Sequence, residues 1–322
     1  MTSRYPSIDL SGLRTSSIAD RKSKVCAADF AVPVREGASV ADLIDSLPDI
    51  LAGRWLREII DRIARAHVLR KPVVFAMGAH VIKCGLSPVV ADLIRRRVIT
   101  CVATNGAGAI HDSEIALYGA TSEDVPDGLR TGMFGMAAET AQLLNSAALA
   151  ARDKGLGYGE ALGEVIVRSG APNSAVSLLA AAYEQCVPLT VHVSIGCDIV
   201  HMHPGADGAA IGEATMRDFR ILTEAMRSLG GGGVLINAGS AVVLPEVLLK
   251  AITVLVNLGH DMKGMTGVNL DFVQHYRSNQ QVVTRAREIG GEGMSITGHH
   301  ELVIPLIAAG VIDKLGKEAA VS

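Results

Sequence analysis

Val73-Val74-Phe75-Ala76-Met77-Gly78-Ala79-His80 and Ile99-Thr100-Cys101-Val102-Ala103-Thr104-Asn105-Gly106-Ala107-Gly108 each run an apolar strand into small residues and then into a helix. In an open parallel sheet such junctions lie at the carboxyl ends of strands, where glycines and helix N-termini let a phosphate or ribose approach the backbone. Neither follows the G-x-G-x-x-G spacing, so a plain strand-to-helix turn accounts for them nearly as well as a nucleotide does.

The same alternation extends on both sides. Val40, Leu43, Ile44 and Leu47 have the spacing of a short amphipathic helix, and Trp55 through Ala64 that of a longer one. Ser87 and Pro88 open a helix to Arg96, and Val98 to Ala103 is the next strand. Residues 130–168 read as a helical insertion. A helix over 174–185 precedes a strand within 187–195, and a helix over 218–229 ends at Gly230-Gly231-Gly232-Gly233. Val234-Leu235-Ile236 is then a strand entering Asn237-Ala238-Gly239-Ser240, followed by a helix over 245–258, a short strand near Met294 and a closing helix over 299–309. Strands alternating with helices predict right-handed crossovers and a parallel sheet with helices on both faces.

The chain has 322 residues, enough for one large α/β domain, and 49% of them are hydrophobic while only 3% are aromatic. With a mean hydropathy of +0.32, the core is to be built from Ala, Val, Leu and Ile, and an aliphatic surplus of this kind suits a subunit interface. A net charge of -3 creates no field for nucleic acid or an anionic membrane, so neither is expected as a partner. No apolar run approaches a membrane span or secretion signal, which predicts a cytoplasmic protein. Residues 1–32 are polar and irregular and are expected to form a flexible arm, leaving 33–322 as a single domain. Five cysteines without a C-x-x-C pair argue for buried free thiols rather than disulfides or a thiolate zinc site.

Histidine is the conspicuous polar type. His80, His111, His192, His201, His203, His275, His299 and His300 fall at predicted strand ends or beside glycines, where an imidazole can move a proton, bind a metal or hold an anion. A metal reading would use His201 and His203 with Asp198, or His299, His300 and Glu301. No H-E-x-x-H-like pattern supports it, and backbone hydrogen bonding is the commoner role of such rings. Asp198 suits a ribose or a ligand amine and equally a helix cap. Arg277, Arg285 and Arg287 suit a carboxylate or phosphate and equally a solvated helix face. No G-x-S-x-G elbow occurs, which disfavours an esterase.

In this order the segments resemble deoxyhypusine synthase, an NAD-dependent enzyme that moves an aminobutyl group from spermidine to a protein lysine. The likeness runs from about Val34 to Ala309. It comprises the Gly78–Gly85 turn, Thr104-Asn105-Gly106-Ala107-Gly108 in place of a Thr-Ala-Gly-Gly turn, and the run from Ser194 to His203. The glycines before Val234, Thr266 to Asp271, and Leu302-Val303-Ile304-Pro305-Leu306 complete it. The resemblance implies a deoxyhypusine-synthase-like, Rossmann-type sheet, NAD as cofactor, a small-molecule substrate and a homotetramer with sites between subunits. Positions implied to face the dinucleotide are Ala79, His80, Asn105, Gly106, Ala107, Asp198, Thr266, Gly267, Asp271, Gly298 and His299. The family's acidic pair becomes Ile110 and His111, with Asp112 and Glu114 near enough to substitute.

The polyamine side departs further. The family's active lysine, in Glu-x-x-x-Trp-Gly-Lys, falls on Gln281-Val282-Val283-Thr284-Arg285-Ala286-Arg287, its histidine and asparagine on Asn237 and Ala241, and a substrate-binding acid on Gln274. A guanidinium stays protonated and is a poor nucleophile. The expectation is therefore an NAD-dependent transferase or oxidoreductase acting on an altered amine, amino-acid or carboxylate substrate without a lysine imine. His203 is its expected general acid or base, Asp198 orients ligand or imidazole, and Arg285 or Arg287 holds substrate charge. The alternatives are a catalytically silent nucleotide-binding paralogue and, below it, a metal-dependent hydrolase. An ammonium group from elsewhere reaching into the cavity would undo the argument from the missing lysine.

Overall fold

The computed structural model describes residues 4–321, with side chains as far as 317. Helices α1 (Val40–Ser46) and α2 (Leu51–Val68) lead into β1 (Val73–Met77), α3 (His80–Lys83), α4 (Ser87–Arg95), β2 (Cys101–Asn105) and α5 (Gly106–Tyr118). The insertion contains α6 (Val125–Thr131), α7 (Ala138–Lys154) and α8 (Tyr158–Arg168), and α9 (Leu178–Glu184) then precedes β3 (Leu189–His192). There follow α10 (Gly208–Ala225), β4 (Val234–Ala238), α11 (Val243–Asn257) and β5 (Thr266–Asp271). Next come α12 (Tyr276–Ser278), a π-helical turn (Asn279–Thr284), α13 (Arg285–Glu288), β6 (Glu292–Thr297) and α14 (His300–Val321).

The six strands are all parallel, in the order β3-β2-β1-β4-β5-β6. This is the doubly wound α/β arrangement with its switch point between β1 and β4. Side chains alternate across it. Val73, Phe75 and Met77 of β1 join the layer of α2, α4, α5 and α14, while Val74 and Ala76 join that of α10 and α11. Helices thus cover both faces, and Ala, Val, Leu and Ile supply nearly all of both cores.

Side chains cap the outer strands. The N–H of Val191 on β3 donates to Asp218 at 2.7 Å, and that of Val193 to Thr215 Oγ1 at 3.0 Å, while the Thr215 hydroxyl donates to Val191 O at 2.9 Å. At the far edge Arg287 donates through Nε to the Gly293 carbonyl of β6 at 3.1 Å.

Some boundaries differ from expectation. Helix α10 begins at Gly208, ahead of the expected Asp218, because the Asp207 carboxylate accepts from the N–H of Ala209 and Ala210 and caps it. Residues 266–271, read in the sequence only as part of the resemblance, are a fully buried strand. Gly267 makes that strand possible, since a Cβ there would lie 2.2 Å from Val282 O in the π-helical turn. Before α1 the described chain has two short 3-10 turns, Ile18–Asp20 and Ala27–Asp29, and exposes Tyr5, Ile8, Leu10, Leu13, Ile18, Val25 and Phe30. The thiols are not uniformly buried. Only Cys101 is, with its pKa pushed up to about 12 by burial, whereas Cys26, Cys186 and Cys197 are exposed. Among the described residues no helix is long and apolar enough to cross a membrane.

Candidate functional site

The loops at the carboxyl ends of the strands are joined to one another. Gly78 N donates to Ala238 O at 2.9 Å, Gly239 N to Leu270 O at 3.0 Å, and Gly298 N to Asp271 O at 3.1 Å. A Cβ at Gly78 would sit 2.4 Å from Gly239 O, and one at Gly239, whose φ is +69°, 2.6 Å from the His300 ring. These glycines serve contact between loops, so the base of the switch-point crevice is closed by backbone. His300 is fully buried, with Nε2 donating to Leu270 O at 3.0 Å. Above it the rings of His80, Phe272 and His299 cluster, Phe272 and His299 stacked at 6.0 Å.

Open volume lies to the β2 side. A cleft of about 770 Å³ is lined by Lys83 after β1, Ala107, Ile110, His111 and Glu114 of α5, and Asp198 after β3. Residues 118–125 and the start of α7 complete its wall. The Asn105 side chain accepts from Gly108 N at 3.0 Å and caps α5, leaving the N–H groups of Gly106 and Ala107 without intrahelical acceptors. Asp198 lies over this end, its carboxylate so close that a Cβ on Gly106 would be 1.8 Å from it. Burial raises the pKa of Asp198, and His201, whose Nε2 is 3.9 Å from Oδ2, opposes the rise. His201 Nδ1 accepts from the backbone of Gly196 and Asp198, so its Nε2 carries the proton.

Of the residues expected at the site, Ala79, His80, Asn105, Gly106, Ala107, Asp198, Asp271, Gly298 and His299 all lie at or just beyond strand carboxyl ends. Others do not join them within one chain. Thr266 and Gly267 open β5 at its amino end, a strand length of about 17 Å from Asp271 and at the opposite end of the sheet from the cleft. Arg285 pairs with Glu288, and Arg287 caps β6 near its start. Both therefore sit at the amino edge. His203 Nε2 donates to the Gly135 carbonyl at 2.8 Å, while Gly135 N donates to Glu123 at 2.9 Å. The ring fastens the segment that walls the cleft and does not itself line it.

Gln274, aligned with a substrate-binding acid, is engaged internally. Its amide donates to the carbonyls of Asp271 and Ile296, and its oxygen accepts from Asn269, whose own oxygen accepts from Asn237. Asp112, one of the two substitutes for the acidic pair, caps α9 instead, accepting from Ser177 Oγ at 2.6 Å and from the N–H of Leu178 and Leu179. Glu114, the other, does face the cleft. Lys83 was missed, although it stands three residues beyond His80, within one helical turn. Its presence removes the premise that no primary amine reaches the cavity. Among the described residues no three His, Cys, Asp or Glu side chains are grouped as a metal ion requires.

No protein-family model matches the chain, and no curated protein matches it. Solved structures do. AgrE in a ternary complex with ornithine and NAD+ is similar with a TM-score of 0.53 at 13% identity, over 83% of this chain and 34% of AgrE. Unliganded AgrE gives 0.50 at 17% identity, over 83% and 34% respectively. An Entamoeba histolytica protein described as a "putative deoxyhypusine synthase" gives 0.49 at 13% identity, over 86% of this chain and 94% of its own. The chain spans about a third of AgrE's length. The class these findings define is an α/β protein with a doubly wound, all-parallel sheet. Within that class the chain is similar in fold to AgrE.

Proposed function

We propose that the protein is an NAD-dependent enzyme acting on a small amine, amino-acid or carboxylate substrate. The observation that carries this reading is the cleft at the carboxyl ends of β2 and β3, with Asp198 over the start of α5. Asp198 and Asp271 are carboxylates at strand ends, the chemistry that accepts hydrogen bonds from ribose hydroxyls. The N–H groups of Gly106 and Ala107, which have no intrahelical acceptor, suit a polar oxygen. This donor set fits a dinucleotide extended over the loops of Ala79–His80, Asn105–Ala107, Asp271 and Gly298–His299. Bound there, NAD supplies hydride acceptance. The chain's part is to hold the substrate, exclude water and move protons. AgrE's complex with ornithine and NAD+ agrees with such a ligand pair on this fold.

His203 acts in this reading by fixing Gly135, and so the cleft wall, rather than as the proton carrier. Arg285 and Arg287, held at the amino edge of the sheet by Glu288 and the Gly293 carbonyl, take no part in this cleft. With Lys83 in the cleft, an amine-dependent route is again open.

Calorimetric titration with NAD and NADH, repeated with Asp198→Ala and Asp271→Ala, tests the proposal. Binding weakened in both variants is expected; failure of the unaltered protein to bind either form overturns it. If the dinucleotide binds and no metabolite is turned over, the catalytically silent reading takes its place.

A further inference from the structure

Glu114, Thr121 and His111 form a hydrogen-bonded chain on the cleft wall. The two oxygens of Glu114 accept from Thr140 Oγ1 at 2.9 Å and from the Thr121 hydroxyl. A hydroxyl has one proton. Having given it to Glu114, Thr121 can meet His111 Nδ1, 2.6 Å away, only as an acceptor. His111 is thereby held as the Nδ1–H tautomer, and its Nε2 keeps a lone pair that no described residue engages.

The charges around this nitrogen are mixed. Lys83 of α3 lines the same cleft and makes no hydrogen bond or ion pair among the described residues, while Glu114, Glu123, Glu139 and Asp198 supply carboxylates from α5, the following loop, α7 and the turn after β3. A plain anion would face those carboxylates, and a plain cation would face Lys83. A zwitterion meets opposite charge at both ends.

We propose that the cleft takes a free α-amino acid, its carboxylate on Lys83 and its amino group at His111 Nε2, with His111 as proton acceptor and Thr121 and Glu114 as positioning residues. In the step assigned to His111 an ammonium N–H bond breaks, the electron pair stays on nitrogen, and an Nε2–H bond forms. The imidazolium so produced faces Glu114 through Thr121. Burial lowers the His111 pKa, Glu114 opposes this and the Lys83 charge adds to it. The proposal rests on the NAD-dependent reading only for the fate of the free amine.

The test uses the full chain without added cofactor. Calorimetry with the protein amino acids and L-ornithine identifies the tightest binder, which is then compared with its decarboxylated amine. The amine should bind roughly tenfold more weakly, a charge-assisted hydrogen bond being lost, and Lys83→Met should abolish the difference. Nitrogen-15 spectra of the histidine rings should show His111 protonated at Nδ1, moving toward Nε2 in Thr121→Val. No binding of any amino acid, equal binding of the decarboxylated amine, or an Nε2–H ring in the unaltered protein overturns the proposal. Separate titration with NAD keeps the two readings apart. Dinucleotide binding without amino-acid binding sinks only this proposal, and the converse sinks only the NAD reading.

Discussion

Asp218 shows how one side chain ties a fold together. Its Oδ2 accepts from Gly159 N at 3.0 Å and Val191 N at 2.7 Å, joining α10 to the start of α8 and to the outer strand β3. Burial outweighs these bonds and pushes its pKa up to about 7. Between the unfolded value near 4 and 7, the unfolded chain gives up this proton while the folded chain keeps it. Stability should therefore fall as pH rises through that window, by on the order of 4 kcal/mol, and level off above it. Urea unfolding at pH 4 to 8 measures this, and Asp218→Asn should flatten the slope. Asp112 is a second such carboxylate, and Asp112→Ala strands three donors at the start of α9. A loss of roughly 2–3 kcal/mol is expected in thermal unfolding, with dinucleotide binding at 25 °C retained.

At the scale of elements, the π-helical turn at Asn279–Thr284 presses Val282 O onto Gly267. Gly267→Ala has no space for its methyl, and should cost about 1–3 kcal/mol by displacing the turn or the strand; a midpoint in urea equal to the parent's would refute that contact. This pairing also explains what the sequence concealed. Strands β1 and β4 were legible because Val73–Met77 and Val234–Ile236 are unbroken apolar runs bounded by glycine or proline. Strand β5 was not, because Thr266, Asn269 and Asp271 are buried polar residues whose partners lie elsewhere in the chain. With β5 unread, Thr266 and Gly267 are not separated from Asp271, although the first two open the strand and the last closes it. The histidines misled similarly: spacing placed His203 and His300 near the site, but only the fold shows their Nε2 atoms bonded to backbone carbonyls. Strand-end glycines, Asn105 and Asp198 were readable because each sits next to its own strand.

Over the whole molecule, Ile8, Leu10, Leu13, Ile18, Val25 and Phe30 stand exposed before α1. Such a run of exposed apolar side chains, from Ile8 to Phe30, favours burial on another subunit. Sedimentation velocity should give a species several times 33.6 kDa, and removal of residues 1–34 should shift it to smaller assemblies. A monomer throughout would leave those residues unexplained. Any such assembly meets one constraint set by the capped outer strands. With Asp218 and Thr215 taking the N–H groups of Val191 and Val193 and the Val191 carbonyl, the β3 margin holds few idle amides for another chain to stitch onto, whereas at β6 Arg287 covers the single carbonyl of Gly293. Growth by strand addition is discouraged on the β3 side, so any second copy is expected to pack against the helical flanks rather than to lengthen the sheet there.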